Sequence, residues 1–472
     1  MSRPSVVLVH KVPAIWEVKS KSNLGNILNL TDDFNDLDNL SEEENNLLLN
    51  LESDIFFLLA KSISDYLDIS NVNIILGHNS DEKRNWEIIS RVGKIKYGDK
   101  FNFWSINSPD IFPKIDNVKV LIVRGNYPNF HNELMSKYSP STTIFYPATS
   151  LFFPHVSGRM KLLISKSFKG EIHEDVLFEI ISNFSKYPTF SKIKIPEIKS
   201  KPTSLDLIEF RKLFRNYSES VISKVEKLRN KVSVGKYPIV LFDEEKNISS
   251  LKNIYPNSRL LKFNKAASPI FSFDINSKRD IDVIYTGTTI QRTKNSDLFY
   301  EIIDGLIKLN PEIKVAIVGV DDISIPMDKR WRRNVEIHGR ISKSELCSLF
   351  NRSKTHLITS GRDCFPRTIP ESIVCGCFLI TLDILSDGLS VISNNPLIGK
   401  VIISSNDILV LKPSNSVSLK LKGNKLVNDI FEQLQIQRNH LLISMLGNEL
   451  FPIEDMVQLD MIWQEIDLNV NE

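Results

Sequence analysis

A chain of 472 residues is longer than one ordinary hydrophobic core supports, so two domains with extensions are expected. With 42% hydrophobic and 25% charged residues the composition is that of a globular protein; 59 basic against 57 acidic residues leave a charge of only +2, which excludes the basic excess that nucleic-acid binding requires. No apolar run approaches the roughly 18–20 residues that span a bilayer, and the short apolar core after Met1 is too small for a signal peptide, so a cytoplasmic location is expected.

In chain order, Val6–Val9 reads as a first buried strand. The acidic, Asn-rich stretch 31–46, with Glu42, Glu43 and Glu44, reads as a loop running into a helix start. Asp36-Leu-Asp38 within it has the spacing of a metal-binding acid pair, but it lies in a polar loop and is not taken as a site. Further strands are expected at Asn73–Leu76, Val120–Val123, Thr143–Tyr146, Leu162–Ser165 and Ile239–Phe242. Leu205 to Asn230 carries apolar residues at a helical period, after a Pro- and Lys-rich linker at 192–202. Residues 264–280 are expected to join the two domains.

From residue 282 strands and helices alternate cleanly. Asp282–Gly287 is a strand closed by glycine, and apolar positions 298, 299, 302, 303, 306 and 309 outline a helix. Val315–Gly319 and Val335–Gly339 follow as strands. Ser342-Lys-Ser-Glu345 is a capping-box signature opening a helix through Phe350. His356–Thr359 and Phe378–Thr381 complete the series. Such alternation predicts a parallel sheet covered on both faces, with ligands bound outside the carboxyl ends of its strands. Val427–Met445 and Met456–Ile466 read as C-terminal helices. The four cysteines (Cys347, Cys364, Cys375 and Cys377) lack zinc-site spacing and read as small buried thiols in a reducing compartment.

The most specific stretch is Ser360-Gly-Arg-Asp-Cys-Phe-Pro-Arg-Thr-Ile-Pro-Glu-Ser-Ile-Val-Cys-Gly-Cys-Phe-Leu-Ile-Thr381. Asp363 stands eight positions before Glu371, with Phe365-Pro366 between them and Gly376 before an apolar strand. This pattern resembles the nucleotide-sugar site of retaining GT-B glycosyltransferases, particularly family four. The resemblance implies an α/β protein of the GT-B fold: two Rossmann-like domains facing across a cleft, with C-terminal helices crossing back to the first. Residues 1–270 would be an acceptor domain with insertions, 271–425 the donor domain, and 426–472 the returning helices. It covers residues 236–411 well; the domain before them is inferred from architecture.

The resemblance also implies roles. Glu371 would bind the two ribose hydroxyls, which suits a carboxylate because its two oxygens accept two parallel hydrogen bonds. Thr368-Ile-Pro-Glu371 equally fits a capping box. Asp363 would contact sugar hydroxyls near the reacting carbon, although the usual residue is one methylene longer. Phe365 and Pro366 would be donor contacts, and the backbone amides around Arg367 and Thr368, at the N-terminus of the following helix, would cradle the diphosphate. Upstream, Gly287, Arg292, Lys294 and Asn295 resemble a segment whose Arg and Lys neutralise the departing diphosphate; Thr288 stands where the arginine usually does, so Arg292 is its displaced candidate. Gly319 and the loop His338-Gly339-Arg340 would approach the nucleotide. Arg124, Asn126, Tyr146 and Thr149 are acceptor-side candidates.

No metal and no cofactor are expected, the nucleoside-diphosphate sugar being a co-substrate. The implied acceptor is a glycan or glycolipid, which leaves room for peripheral association with the inner face of a membrane. The first domain departs from the pattern: it has no Gly-rich loop after the first strand, and no His ends its middle strand. A nucleotide-sugar 2-epimerase, or a scaffold that binds sugar nucleotides or glycans without catalysis, are the alternatives.

Overall fold

The computed structural model describes residues 3–10, 40–52, 54–77, 83–106, 112–124, 128–147, 238–245, 248, 251–252, 255–287, 294–320, 333–339, 341–361, 365–385, 388–404, 406–411 and 418–452. The expected strand at 162–165, the linker at 192–202, the helix at 205–230 and the acid pair Asp36/Asp38 lie outside these residues. The described chain falls into two compact units: residues within 1–148 and 230–270, and residues within 271–452.

The first unit is a seven-stranded parallel sheet. Its strands are β1 (Ser5–His10), β2 (Val72–Gly77), β3 (Phe101–Ile106), β4 (Val118–Arg124), β5 (Thr142–Tyr146), β6 (Ile239–Phe242) and β7 (Arg259–Lys262), in the order β3-β2-β1-β4-β5-β6-β7. All six pairings in this sheet are parallel; β1, for instance, sets Val6 beside Val72 on one side and Val120 on the other. Its helices are α1 (Glu42–Glu52), α2 (Ile55–Tyr66), α3 (Lys83–Tyr97) and α4 (Pro128–Tyr138). A Ser41–Glu44 capping box opens α1, and Asp54 caps α2 by accepting from the amides of Phe56 and Phe57. The central strands are buried along their length, each large aliphatic side chain contributing about 1.5–3 kcal/mol.

The second unit holds a six-stranded parallel sheet. Its strands are β8 (Ile281–Thr286), β9 (Val315–Val318), β10 (Val335–His338), β11 (Ser353–Ile358), β12 (Phe378–Leu382) and β13 (Gly399–Ile402), in the order β10-β9-β8-β11-β12-β13. A small hairpin, β14 (Ile408–Leu411) with β15 (Ser418–Leu421), follows. The helices are α5 (Ser296–Leu309), α6 (Lys343–Arg352), α7 (Thr368–Val374), α8 (Leu389–Asn394), α9 (Lys425–Gln435) and α10 (His440–Leu450). The apolar faces of α5, α7, α8, α9 and α10 meet the sheet in one core, in which the Tyr285 and Phe299 rings stack at 3.9 Å, and α6 buries Leu346, Leu349 and Phe350.

One correction concerns the C-terminal region. The run 427–445 is two helices rather than one, because Asn439 caps α10 by accepting from the Leu442 amide. Through Leu450 these helices pack on the second unit. Leu426, Val427 and Ile430 of α9 and Ile443 of α10 belong to its core, and Ser444 Oγ donates to the Val374 carbonyl at 2.6 Å. A Cβ on Gly447 would stand 2.7 Å from Ile373 Cγ2, so this contact of α10 with α7 has no room for a side chain. Residues 453–472 lie outside the described residues. Among the described residues no helix is long and apolar enough to cross a membrane.

Candidate functional site

In a doubly wound sheet the crevice opens where the strand order reverses, at the carboxyl ends of the flanking strands. In the second unit that point lies between β8 and β11, which pair directly. Thr286 and Gly287 close β8, and Thr359 and Ser360 follow β11. The polar groups gathered there are tied to one another. Thr359 Oγ1 donates to the Lys294 carbonyl at 2.7 Å, and Asn295 Nδ2 donates to the Thr359 carbonyl at 2.7 Å. Lys294, half-buried, is thereby fixed at the switch point.

Asn295 is fully buried and left-handed (φ 50°), a conformation Asn tolerates. Its side-chain amide donates to the Thr359 carbonyl and so helps to position the loop. Gly287 also has a packing role, since a Cβ there would meet the Tyr285 hydroxyl at 2.6 Å. Gly319 has φ 85°, and its amide donates to the His338 and Gly339 carbonyls, both at 2.9 Å. His338 is half-buried, with Nε2 3.5 Å from Glu336.

The motif helix α7 hangs from the same point. His356, fully buried on β11, has Nε2 3.0 Å from Thr286 Oγ1 and Nδ1 2.9 Å from Ser372 Oγ on α7. Ser372 donates to the Ile369 carbonyl, so its oxygen accepts from Nδ1–H and Nε2 accepts from Thr286. Burial, aided by the Lys294 charge, pushes the imidazole down to about 3, so it is neutral at pH 7. Sequence reasoning passed over His356 because one histidine in an apolar strand carries no spacing signal.

Glu371 lies on α7, 2% exposed. Its Oε1 receives Lys343 Nζ at 2.7 Å, from the first turn of α6. Its Oε2 is buried and makes no hydrogen bond among the described residues. The capping-box alternative is not realised: Arg367 is the cap residue, in helical conformation, with no side-chain cap bond. A buried carboxylate oxygen without a partner costs several kcal/mol less when a donor arrives, so this atom is suited to receive hydroxyls. Lys343, which also lies 5.2 Å from the Phe271 ring, was missed because its partner is 28 residues away.

Of the remaining motif residues, Phe365 is 5% exposed and packs edge-on against Phe451 at 6.2 Å, so its side chain anchors the loop in the core. It does so at φ 46°, a strain of order 1–3 kcal/mol of the kind that collects at functional sites. Pro366 is buried, Thr368 half-buried and Arg367 exposed. Gly376 turns at φ 83° between α7 and β12, where a Cβ would stand 2.6 Å from the His440 carbonyl oxygen. Asp363, Arg292, Arg340, Asn126, Thr149 and Cys364 lie outside the described residues. Cys375 and Cys377 are buried and Cys347 is half-buried. Among the described residues no group of three or more His, Cys, Asp or Glu is placed to hold a metal ion.

In the first unit, Arg124 ends β4 and lies 5.1 Å from the Phe56 ring. Tyr146 ends β5 but is only 3% exposed, and its hydroxyl donates to Asp243. Its ring thus packs in the core of the first unit. Lys265 Nζ lies 3.4 Å from Asp243 Oδ1. Burial raises the Asp243 carboxyl, and Lys265 and Tyr146 pull it back down.

Residues 269–439 match the family model described as Glycosyl transferases group 1. No curated protein matches the chain. Among solved structures, HepE of Anabaena, determined with UDP and glucose, is 9% identical over 98% of this chain and 99% of that one, with a TM-score of 0.49. The sucrose-phosphate synthase of Thermosynechococcus elongatus is 10% identical over 88% of this chain and 92% of that one, with a TM-score of 0.43. The pneumococcal O-GlcNAc transferase GtfA, determined with UDP and GlcNAc, is 12% identical over 50% of this chain, with a TM-score of 0.39. This chain spans about half of that relative's length, 46%.

Proposed function

We propose that this chain, whose residues 269–439 form a Glycosyl transferases group 1 domain, moves a sugar from a nucleoside-diphosphate sugar to a hydroxyl of a glycan or glycolipid, with retention of configuration. The observation that carries this reading is the Glu371 carboxylate, held by Lys343 at one oxygen and unpartnered at the other among the described residues. Ribose offers two adjacent hydroxyl donors, and a fixed carboxylate accepts both. Lys343 positions Glu371.

The chemistry asks for little proton transfer by the protein. As the bond from the anomeric carbon to the diphosphate oxygen breaks, its electron pair stays on that oxygen, and the charge develops beside Lys294, with Arg292 the further candidate to neutralise it. The acceptor oxygen attacks the face the diphosphate leaves, and its proton passes to a phosphate oxygen. Positioning and electrostatic stabilisation then supply the rate. Asp363 would hold sugar hydroxyls next to the reacting carbon.

Calorimetric titration with UDP and GDP tests the reading. Charge-assisted hydrogen bonds contribute about 1.5–3 kcal/mol each, so Glu371→Ala should weaken binding at least about tenfold. Glu371→Gln, which keeps the shape, should also weaken it. Unchanged affinity with a lowered melting temperature would make Glu371 a structural residue and remove the main support for the proposal. Hydrolysis of the donor sugar without acceptor separates an enzyme from a binding scaffold.

A further inference from the structure

Helices α6 and α7 face each other through two successive rungs. Lys343 and Cys347 are one turn apart on α6, and Glu371 and Cys375 are one turn apart along α7 and its cap. Lys343 meets Glu371 at 2.7 Å, and one turn further on Cys347 Sγ meets Cys375 Sγ at 3.8 Å. We propose that Cys347 and Cys375 are a redox-active thiol pair that closes to a disulfide on exposure to a peroxide and thereby lowers nucleotide affinity at Glu371. The second half rests on the nucleotide reading of Glu371; the first does not.

The surroundings divide the two sulfurs into an attacking and a resolving partner. Cys347 is half-buried, and Asn351 Nδ2 points to its sulfur at 3.6 Å. The hydrogen bond from Cys375, with that amide, holds the Cys347 thiol down at about 6, so it is mostly thiolate at pH 7. Cys375 is buried, and its thiol is pushed well up, first by that shared hydrogen bond and then by burial. Cys377, deeper still, points its sulfur at the Phe350 carbonyl at 3.0 Å and faces away from the pair.

The steps balance with peroxide as oxidant. The Cys347 thiolate attacks one peroxide oxygen, the O–O bond breaks, and hydroxide leaves and is protonated to water; the sulfur becomes a sulfenic acid. Cys375 then attacks that sulfur. The S–S bond forms, the S–O bond breaks, and the departing hydroxide takes the Cys375 proton as a second water. Two thiols lose two electrons and two protons, and the peroxide gains them. The S–S separation falls from 3.8 Å to about 2.05 Å, which draws the start of α6 over α7 and Lys343 across the carboxylate that is to receive the ribose. Such bonds inside cells are typically transient and regulatory.

The test treats the full chain with hydrogen peroxide, blocks remaining thiols and maps the peptides. A dithiothreitol-sensitive link between the Cys347 and Cys375 peptides is expected, absent in Cys347→Ser. In Cys375→Ser, Cys347 should halt at a sulfenic acid that dimedone captures. Thiols that stay free in the folded chain, or a link to Cys364 or Cys377 instead, would overturn the pair. Titration with UDP and GDP then reads the coupling: oxidation should weaken binding at least about tenfold in the unmodified chain and leave Cys375→Ser unchanged. Equal affinity before and after the mapped link forms would overturn the coupling. A reduced chain that binds neither nucleotide would instead sink the Glu371 reading and leave the thiol pair standing.

Discussion

The two sheets reverse their strand order in the same way, between β1 and β4 and between β8 and β11, yet they treat the polar groups beyond the strands differently. In the first unit the charges answer one another. Asp243 takes the Tyr146 hydroxyl and lies against Lys265, and all three side chains are buried. In the second unit Thr286, His356, Ser372 and Thr359 use their hydrogen bonds to set a frame, and Glu371 is answered at only one oxygen among the described residues. Topology prepares a crevice at both places. Asp243 Oδ1 also lacks a hydrogen bond among the described residues, but it faces the Lys265 ammonium at 3.4 Å, whereas Glu371 Oε2 has neither a hydrogen bond nor an ion pair there.

The largest effect expected is on the closed set. Lys265→Met leaves Asp243 buried without its cation, which typically costs about 3–5 kcal/mol, and Lys265→Met with Asp243→Asn should recover much of it. Chemical denaturation measures this, and UDP and GDP affinity should stay within about twofold. A variant as stable as the parent but weaker in nucleotide binding would break the contrast, because the first set would then be holding ligand.

Next comes Lys294, set at the open switch point. Its replacement by Ala should lower kcat/KM about 10²- to 10³-fold, roughly 2.7–4 kcal/mol, with melting temperature little changed. Normal turnover in a folded Lys294→Ala variant would remove it from the leaving-group scheme. Arg292→Ala, assayed alongside, tests whether the displaced arginine shares the task.

Legibility followed burial. Central strands such as Val120–Val123 and Phe378–Thr381 are buried on both faces and read as continuous apolar runs. Of the strands passed over, Phe101–Ile106, Arg259–Lys262 and Gly399–Ile402 are edges, where one side lacks a neighbour and polar residues or glycine interrupt the run, and Ile408–Leu411 with Ser418–Leu421 form a separate two-stranded hairpin. The same holds at the site. Lys294 and Glu371 stood in a motif, but Lys343, His356 and Ser372 act through partners far along the chain. Phe365 and Asn295 are also buried in the loop, which a motif does not reveal, because it records which residues occur together and not which of them faces inward.

The smallest effect sharpens the comparison through pH. His356 is neutral in the fold, pushed down to about 3 by burial and then by the Lys294 charge, whereas an unfolded His titrates near 6.5. The unfolded chain therefore binds the extra proton, so the stabilisation is fully present above about pH 6.5 and is lost as pH falls from there towards 3. The expected loss is about 1.4 kcal/mol per pH unit below 6.5. Between pH 6.5 and 5 this is separable from carboxylates held low, such as Asp280 and Glu345, whose contribution fades only below about pH 4.5. His440, also pushed down by burial, adds to the same window, so the informative quantity is the difference between the parent and His356→Gln. Denaturant midpoints at pH 7.5 and 5.5 should show a shallower dependence in His356→Gln. Parallel dependences in the two proteins would mean that His356 takes up its proton without loosening α7, and that the frame behind Glu371 does not depend on a neutral imidazole.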